Sequence, residues 1–292
     1  LIPGSFDYVA AKSLPEAIAL LEQHGDEAKI LAGGQSLIPI LRFRLGAPSI
    51  LIDINRIADL EYIQEFDGVL HIGALTREAE LDRAPLIRHR YPILADTSAM
   101  IADPVVRNWA TVGGNIAHAD PANNHPATML ALGASVVAQG SGGQRVIPIT
   151  EFFTDSTFET TLQPQEILTE IRIPAPPEHS GGAYFQLERK AGDYAIAGVA
   201  VYLTFDERWL VTSAGIGLTN VGPYPIKARD AEQALLGKPL DETSMSLAAD
   251  LAVAAARPNG DGRGPVEYKR AMVRVLCIRA LRKAQARARG EE

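Results

Sequence analysis

The chain has 292 residues, 47% of them hydrophobic and 22% charged, with 28 lysines and arginines against 35 aspartates and glutamates for a formal net charge of −7. That length allows two or three modules with separate cores, and the composition is that of a globular chain rather than a disordered one. The acidic balance argues against nucleic-acid binding, and the single cysteine, Cys277, excludes an internal disulfide, a cysteine zinc site or an iron–sulfur centre held by this chain alone.

In chain order, Ser13-Leu14-Pro15-Glu16 reads as a helix start, with Ser13 as N-cap and Glu16 as its capping-box partner, and Gly25 ends the element. Residues 29–32 form a short strand that feeds Leu31-Ala32-Gly33-Gly34-Gln35-Ser36-Leu37, after which 36–45 looks helical despite Pro39. A strand over 49–54 closes this α/β unit at about residue 56. Next come a strand over 69–75, a helix over 77–81 capped by Thr76, and a helix over 92–100. A connector at 101–107 leads to a long central loop.

That loop runs Ala110-Thr111-Val112-Gly113-Gly114-Asn115 to His125-Pro126, and a helical pattern resumes at Ala127. Paired glycines let backbone N–H groups approach a ligand closely, and Thr111, Asn115, Asp120 and Asn124 add groups suited to a ribityl chain, a ribose or a phosphate. One such loop could equally be a surface turn. Two, the other being Gly33-Gly34, suggest a single extended ligand held from two sides.

A hairpin is expected over 135–149 about Gly140-Ser141-Gly142-Gly143, then a strand over 166–174 and a boundary at Pro174-Ala175-Pro176-Pro177. Three strands over 183–188, 196–205 and 209–219 read as an antiparallel meander. Helices over 228–236, 243–256 and 265–286 follow. The last carries Val273, Leu276, Cys277, Ala280 and Leu281 as one apolar stripe, with Arg274, Arg279, Arg282 and Lys283 on a flank expected to be solvated.

Gly215-Ile216-Gly217-Leu218-Thr219-Asn220 has Asn220 where a dinucleotide fingerprint needs its third glycine, so it reads as strand. Neither a P-loop nor a nucleophile elbow is found, and the histidines do not fall at metal-ligand spacings, so no catalytic residue and no metal site is assigned. No charged leader with an apolar core and no bilayer-spanning apolar run is seen. A cytoplasmic location is expected, and attachment to the inner face of a membrane through partners is compatible with it.

Ala32-Gly33-Gly34-Gln35-Ser36-Leu37, Thr111-Val112-Gly113-Gly114-Asn115 and Ala119-Asp120-Pro121 resemble the FAD-binding subunits of molybdenum hydroxylases, the xanthine oxidase family. Pro3-Gly4-Ser5-Phe6-Asp7-Tyr8, Ile101-Ala102-Asp103-Pro104, Arg189-Lys190-Ala191-Gly192-Asp193-Tyr194-Ala195, Gly217-Leu218-Thr219-Asn220-Val221 and Asp261-Gly262-Arg263-Gly264-Pro265 lean towards the medium, flavoprotein subunits of the aerobic carbon monoxide dehydrogenase type.

The resemblance implies an α+β fold: a two-lobed FAD-binding domain of the p-cresol methylhydroxylase type, then a C-terminal domain with a three-stranded antiparallel sheet and helices. The expected division is 1–56 for the first lobe, 57–177 for the second and 178–292 for the C-terminal domain. It further implies that Ala32, Gly33, Gly34, Gln35, Ser36 and Leu37 cradle the pyrophosphate of a non-covalent FAD, with Thr111, Gly114 and Asn115 doing likewise from the second lobe. Asp120 belongs to the same loop. Asn124 stands where relatives commonly have a ribose-binding aspartate. Ile101 and Ala102 would lie beside the isoalloxazine, Leu168 near the adenosine, and Tyr194 over one flavin face. Gln186 replaces a lysine near the flavin, a charge that Lys190 could supply.

The implied role is electron transfer by an oxidoreductase subunit. A large subunit with molybdenum cofactor oxidises substrate, carbon monoxide in the type most resembled, and a small subunit relays electrons through 2Fe-2S clusters. FAD hands them to an external acceptor such as a quinone or cytochrome. A dimer of heterotrimers, a heterohexamer, is the expected assembly. A related hydroxylase acting on a heteroaromatic, aldehyde or acyl-CoA substrate is the alternative. A self-contained flavin oxidase and an assembly subunit without FAD are the other two readings.

Overall fold

The computed structural model describes residues 2–291. Its first sheet contains β1 (Asp7–Ala10), β2 (Ala28–Leu31) and β3 (Ile50–Asp53), parallel in the order β1-β3-β2. Helix α1 (Leu14–His24) crosses between β1 and β2 and buries Ala17, Ile18 and Leu21 on Ile50 and Ile52. Ser13 Oγ accepts the Glu16 N–H at 3.3 Å as expected, but Glu16 Oε2 takes the N–H of Lys12, at 2.7 Å, instead of that of Ser13. Helix α2 (Leu37–Arg42) is shorter than its sequence pattern. Pro39 sits in its first turn, where a missing N–H costs nothing, and Arg44, at φ 57°, turns the chain away from the helix.

The second sheet has five antiparallel strands in the order β4-β5-β8-β6-β7: β4 (Ile63–Phe66), β5 (Val69–Gly73), β6 (Ser135–Gly140), β7 (Gly143–Pro148) and β8 (Ile167–Pro174). Between β5 and β6 the chain makes α3 (Glu78–Arg83), α4 (Pro85–Arg90), α5 (Pro92–Ala99), α6 (Pro104–Arg107), α7 (Val112–His118) and α8 (His125–Leu132); α9 (Ile149–Phe152) follows β7. Two expectations need correction. Thr76 does not cap α3: its hydroxyl donates to the Tyr62 carbonyl at 2.9 Å, and Arg77 occupies the cap position without a side-chain bond to the helix. The glycine pair 113–114 lies inside α7, in a stretch read as open loop.

The third sheet is antiparallel, order β12-β11-β10-β9, with β9 (Ser180–Leu187), β10 (Ala197–Phe205), β11 (Val211–Thr219) and a two-residue β12 (Ile226–Lys227). The expected three strands thus gain a short fourth at the edge, after the turn at Gly222-Pro223. Helices α10 (Arg229–Leu235), α11 (Glu242–Ala255) and α12 (Val266–Ala288) complete the chain. The apolar stripe of α12 is buried against this sheet, as its spacing predicts.

The other face of β11 receives α8. A Cβ at Gly215 would stand 1.9 Å from the Ala131 carbonyl oxygen, and one at Gly217 2.0 Å from that of Ala127. The failed dinucleotide fingerprint is therefore strand, and its glycines are there for a helix backbone. The basic flank of α12 is not simply solvated: Arg274 pairs with Asp250 at 2.7 Å and Arg282 with Glu242 at 2.7 Å, both on α11. Among the described residues no helix is long and apolar enough to cross a membrane.

Candidate functional site

The turn after β2 sets the site. Among the described residues nothing accepts a hydrogen bond from the backbone N–H groups of Gly33, Gly34, Gln35 or Ser36. Gly34 has φ 73°, and Gln35 Nε2 folds back to the Gly33 carbonyl at 3.1 Å. Four successive free donors in a glycine turn form a concave site for an anion. Ala32 is held by its carbonyl, which accepts from Asn55 Nδ2 at 2.7 Å, and Leu37 begins α2.

The second glycine segment works differently. Thr111 Oγ1 caps α7 by accepting the Gly114 N–H at 3.1 Å, and the N–H groups of Val112, Gly113 and Asn115 go to Thr76, Ala74 and Thr111 carbonyls at 3.0 Å each. These amides are committed to the fold. What this segment leaves open is Asn115 Oδ1, a buried acceptor without a partner, while the Asn115 carbonyl accepts from Asn123 Nδ2 at 2.7 Å. Asp120 organises the next turn, its Oδ1 taking the Ala122 N–H at 2.8 Å.

The two segments touch. A Cβ on Gly33 would lie 2.1 Å from the Trp109 carbonyl oxygen and 3.0 Å from Ala110 Cα. Arg77 bridges the same seam: Nη1 donates to the Trp109 carbonyl at 2.6 Å and Nη2 to Asn55 Oδ1 at 2.7 Å. Neither Arg77 nor Asn55 stood out in the sequence, since each acts on partners distant along the chain.

Below α7, a buried group joins three helices. Glu78 Oε2 accepts from Ser98 Oγ at 2.9 Å and contacts His125 Nε2 at 2.8 Å, with all three residues fully inaccessible. Leu168 is buried on β8, next to Thr169, whose carbonyl accepts the Ala74 N–H at 2.9 Å. Leu168 therefore packs in the second-lobe core beneath the glycine segment.

The third sheet closes the other end. Asn124 Nδ2 donates to the Tyr184 hydroxyl at 3.1 Å and to Gln186 Oε1. Gln186 Nε2 in turn reaches the Met100 carbonyl at 3.3 Å and Glu188 Oε2 at 3.0 Å. Asn124 and Gln186 are thus fastened together beside the connector carrying Ile101 and Ala102. Ala102 has φ 45° and packs against Gly192, where a Cβ would be 3.3 Å from its carbonyl carbon.

Two residues further along stands Tyr194, 44% exposed, with the Arg263 guanidinium 5.6 Å from its ring centre. Arg263 also pairs with Asp193 at 3.3 Å. Partial burial raises the Tyr194 phenol above its ordinary pKa, the Asp120 carboxylate adds to the rise, and Arg263 opposes it. The Asp120 carboxylate thus acts on Tyr194 from the turn after α7. Lys190 is exposed and joins this loop through its carbonyl, which accepts the Asp193 N–H at 3.0 Å.

Residues 4–176 match the family described as the FAD binding domain in molybdopterin dehydrogenase, and residues 182–284 the CO dehydrogenase flavoprotein C-terminal domain. The chain is 44% identical over 289 residues to the carbon monoxide dehydrogenase medium chain of Afipia carboxidovorans, covering 99% of this chain and 100% of that one. It is 42% identical over 287 residues to the 6-hydroxypseudooxynicotine dehydrogenase complex subunit alpha of Paenarthrobacter nicotinovorans, covering 98% and 97%. Its fold superposes on a chain of carbon monoxide dehydrogenase from Hydrogenophaga pseudoflava with TM-score 0.95 and 45% identity, covering 98% and 99%. The chain belongs to the family of FAD-binding subunits of molybdopterin dehydrogenases, with the C-terminal domain of carbon monoxide dehydrogenase flavoproteins.

Proposed function

We infer that this chain is the electron-transfer flavoprotein of a carbon monoxide dehydrogenase complex, placed between a small iron–sulfur subunit and an external acceptor. The observation that carries this reading is the row of free N–H groups at Gly33 to Ser36, packed on the Trp109–Ala110 backbone that leads into α7 with its unpartnered Asn115 Oδ1. Those donors suit a pyrophosphate, and the amide oxygen suits a hydroxyl of a ribityl chain or ribose. FAD supplies the redox chemistry when bound; binding, orientation and exclusion of water fall to the protein.

In this reading Ala32 to Leu37 hold the pyrophosphate through main-chain donors. Thr111 and Gly114 act by building the first turn of α7, which fixes Asn115. Asn124 and Gln186, tied through Tyr184, keep the Ile101–Ala102 connector in place for the isoalloxazine, and Leu168 supplies apolar packing near the adenosine. Tyr194 covers one flavin face, steadied by Arg263. Asp120 and Lys190 bring opposite charges to the loops on either side of Tyr194. No general acid or base acting on substrate is required of the chain, because substrate is oxidised in a partner subunit that holds the molybdenum cofactor.

Large exposed apolar side chains on segments flanking the loops support a partner there: Phe43 and Leu45 after α2, Val105 and Trp109 around α6. A dimer of heterotrimers is the proposed assembly, with a quinone or cytochrome as acceptor. A second substrate reading rests on the 42% identity to the 6-hydroxypseudooxynicotine dehydrogenase subunit, nearly that to the carbon monoxide dehydrogenase chain. The test is anaerobic addition of carbon monoxide to the native complex purified through this chain. Bleaching of flavin and iron–sulfur absorbance supports carbon monoxide. Bleaching by an N-heteroaromatic substrate alone transfers the role to that second reading.

A further inference from the structure

The geometry points to Arg77 as the positioning residue that fixes the spacing between the two glycine segments, and so sets the affinity for FAD. This rests on the proposed function, since the ligand whose binding is measured is the one that function requires. Gly33 to Ser36 belong to the first lobe and Asn115 to the second. A ligand that engages both binds more tightly when their separation is set beforehand, because less ordering is left to occur on binding.

Two contacts set it. Gly33 lies flush on the Trp109 carbonyl, which prevents the segments from closing further. Arg77 prevents them from opening. Its two terminal nitrogens grip acceptors on opposite sides of the seam, the Trp109 carbonyl at 2.6 Å and Asn55 Oδ1 at 2.7 Å. Asn55 passes the restraint on by donating to the Ala32 carbonyl at 2.7 Å, at the entrance of the anion turn, and is itself held by Asp53 Oδ1 at 2.7 Å.

The Arg77 main chain sits just as close to the second segment. It forms an antiparallel bridge with Thr111, the N-cap of α7, and the neighbouring Glu78 N–H donates to the Ala110 carbonyl at 3.0 Å. A planar fork meets both acceptors at once; a lysine, with a single ammonium, satisfies them less completely. Arg77 also lines an open cleft of about 700 Å³ with Glu61, Tyr62, Glu80 and Arg83. Removing its side chain lets water reach the Trp109 carbonyl and leaves no polar side chain gripping both edges of the seam, while the apolar cluster that joins Ile52 and Ile54 to Leu75 and Ile167 still holds the lobes together.

The experiment uses the assembled native complex, stripped of FAD and titrated with FAD while flavin fluorescence is followed. Arg77→Ala is expected to raise the FAD dissociation constant about tenfold or more, the equivalent of one charge-assisted bond, with Arg77→Lys intermediate. Asn55→Ala is expected to weaken FAD similarly, and combining it with Arg77→Ala to add little, because the two form one relay. The FAD-free Arg77→Ala complex should melt within about 2 °C of the wild type. An unchanged dissociation constant in Arg77→Ala would overturn the assignment. So would a loss of affinity matched by a lower melting temperature and not recovered by lysine. If Arg77→Ala does not assemble, Arg77→Lys and Asn55→Ala decide the matter: several-fold weaker FAD in both supports the assignment, and wild-type affinity in both overturns it. A wild-type complex that takes up no FAD would instead defeat the proposed function.

Discussion

A methyl group added to Gly33 would be driven against the Trp109 carbonyl oxygen, 2.1 Å away, and that oxygen is also held by the Arg77 guanidinium. The obstacle is backbone, so it cannot rotate aside. Gly33→Ala should therefore cost about 1–3 kcal/mol of overpacking and lower FAD content sharply. Gly142→Ala, where nothing lies within 4 Å of the new methyl, is the matched control and should leave both unchanged. Flavin absorbance and melting temperature of the two purified complexes make the comparison.

Asn124→Ala removes the amide that ties α8 to β9. The Tyr184 hydroxyl loses a donor at 3.1 Å, and Gln186 loses the partner of its Oε1. Such a deletion in buried surroundings should cost about 1–3 kcal/mol, read as a shift of the urea midpoint at unchanged slope. Because Gln186 also holds the Met100 carbonyl, the flavin spectrum of Asn124→Ala is expected to shift as well. A spectrum and midpoint both equal to the wild type would rule out this linkage.

Stability should fall on the acid side partly through Glu166. Its bidentate pair with Arg145, at 2.7 Å on both oxygens, holds the carboxyl below its ordinary pKa, with the Gln163 N–H helping against the cost of burial. A depressed carboxylate contributes stability that is complete above its unfolded value, about 4.3, and is lost as pH falls through the folded value. Glu166→Gln should be less stable at neutral pH and show a shallower decline below about pH 4.3. Equal acid slopes in urea titrations of the two proteins would remove Glu166 from the account.

Cys277 faces the sheet from α12 with no exposed surface, and burial pushes its thiol up to about 12. The thiolate is the reactive form, so the folded chain should resist iodoacetamide at pH 8 and react only on unfolding. Rapid labelling of the native protein would show that α12 opens away from the sheet.

The glycine turn at 33–34 is legible as a turn because paired glycines break both the strand before them and the helix after them, and the α12 stripe because its period matches a helix. The helix over Val112–His118 was hidden for the opposite reason. Two glycines make it a poor helix by propensity, and it forms because Thr111 caps it and the Gly113 and Val112 amides find carbonyls from residues 74 and 76. Strand β4 was missed at a sheet edge, where alternating burial in four residues gives too short a period to read. Arg77 could not be found from local pattern at all. Its acceptors lie 22 and 32 residues away, and its meaning exists only once the two lobes meet.

The central claim is that this chain holds FAD in the seam between its glycine segments and receives electrons from partner subunits. Flavin content and reducibility of the native complex, compared with those of the separated chain reloaded with FAD, test it most directly. The account predicts stoichiometric FAD released by acid denaturation, hence not covalently attached, and bleaching by substrate only when the iron–sulfur and molybdenum subunits are present. A native complex without flavin, or FAD reduced by substrate in the separated chain, would contradict it.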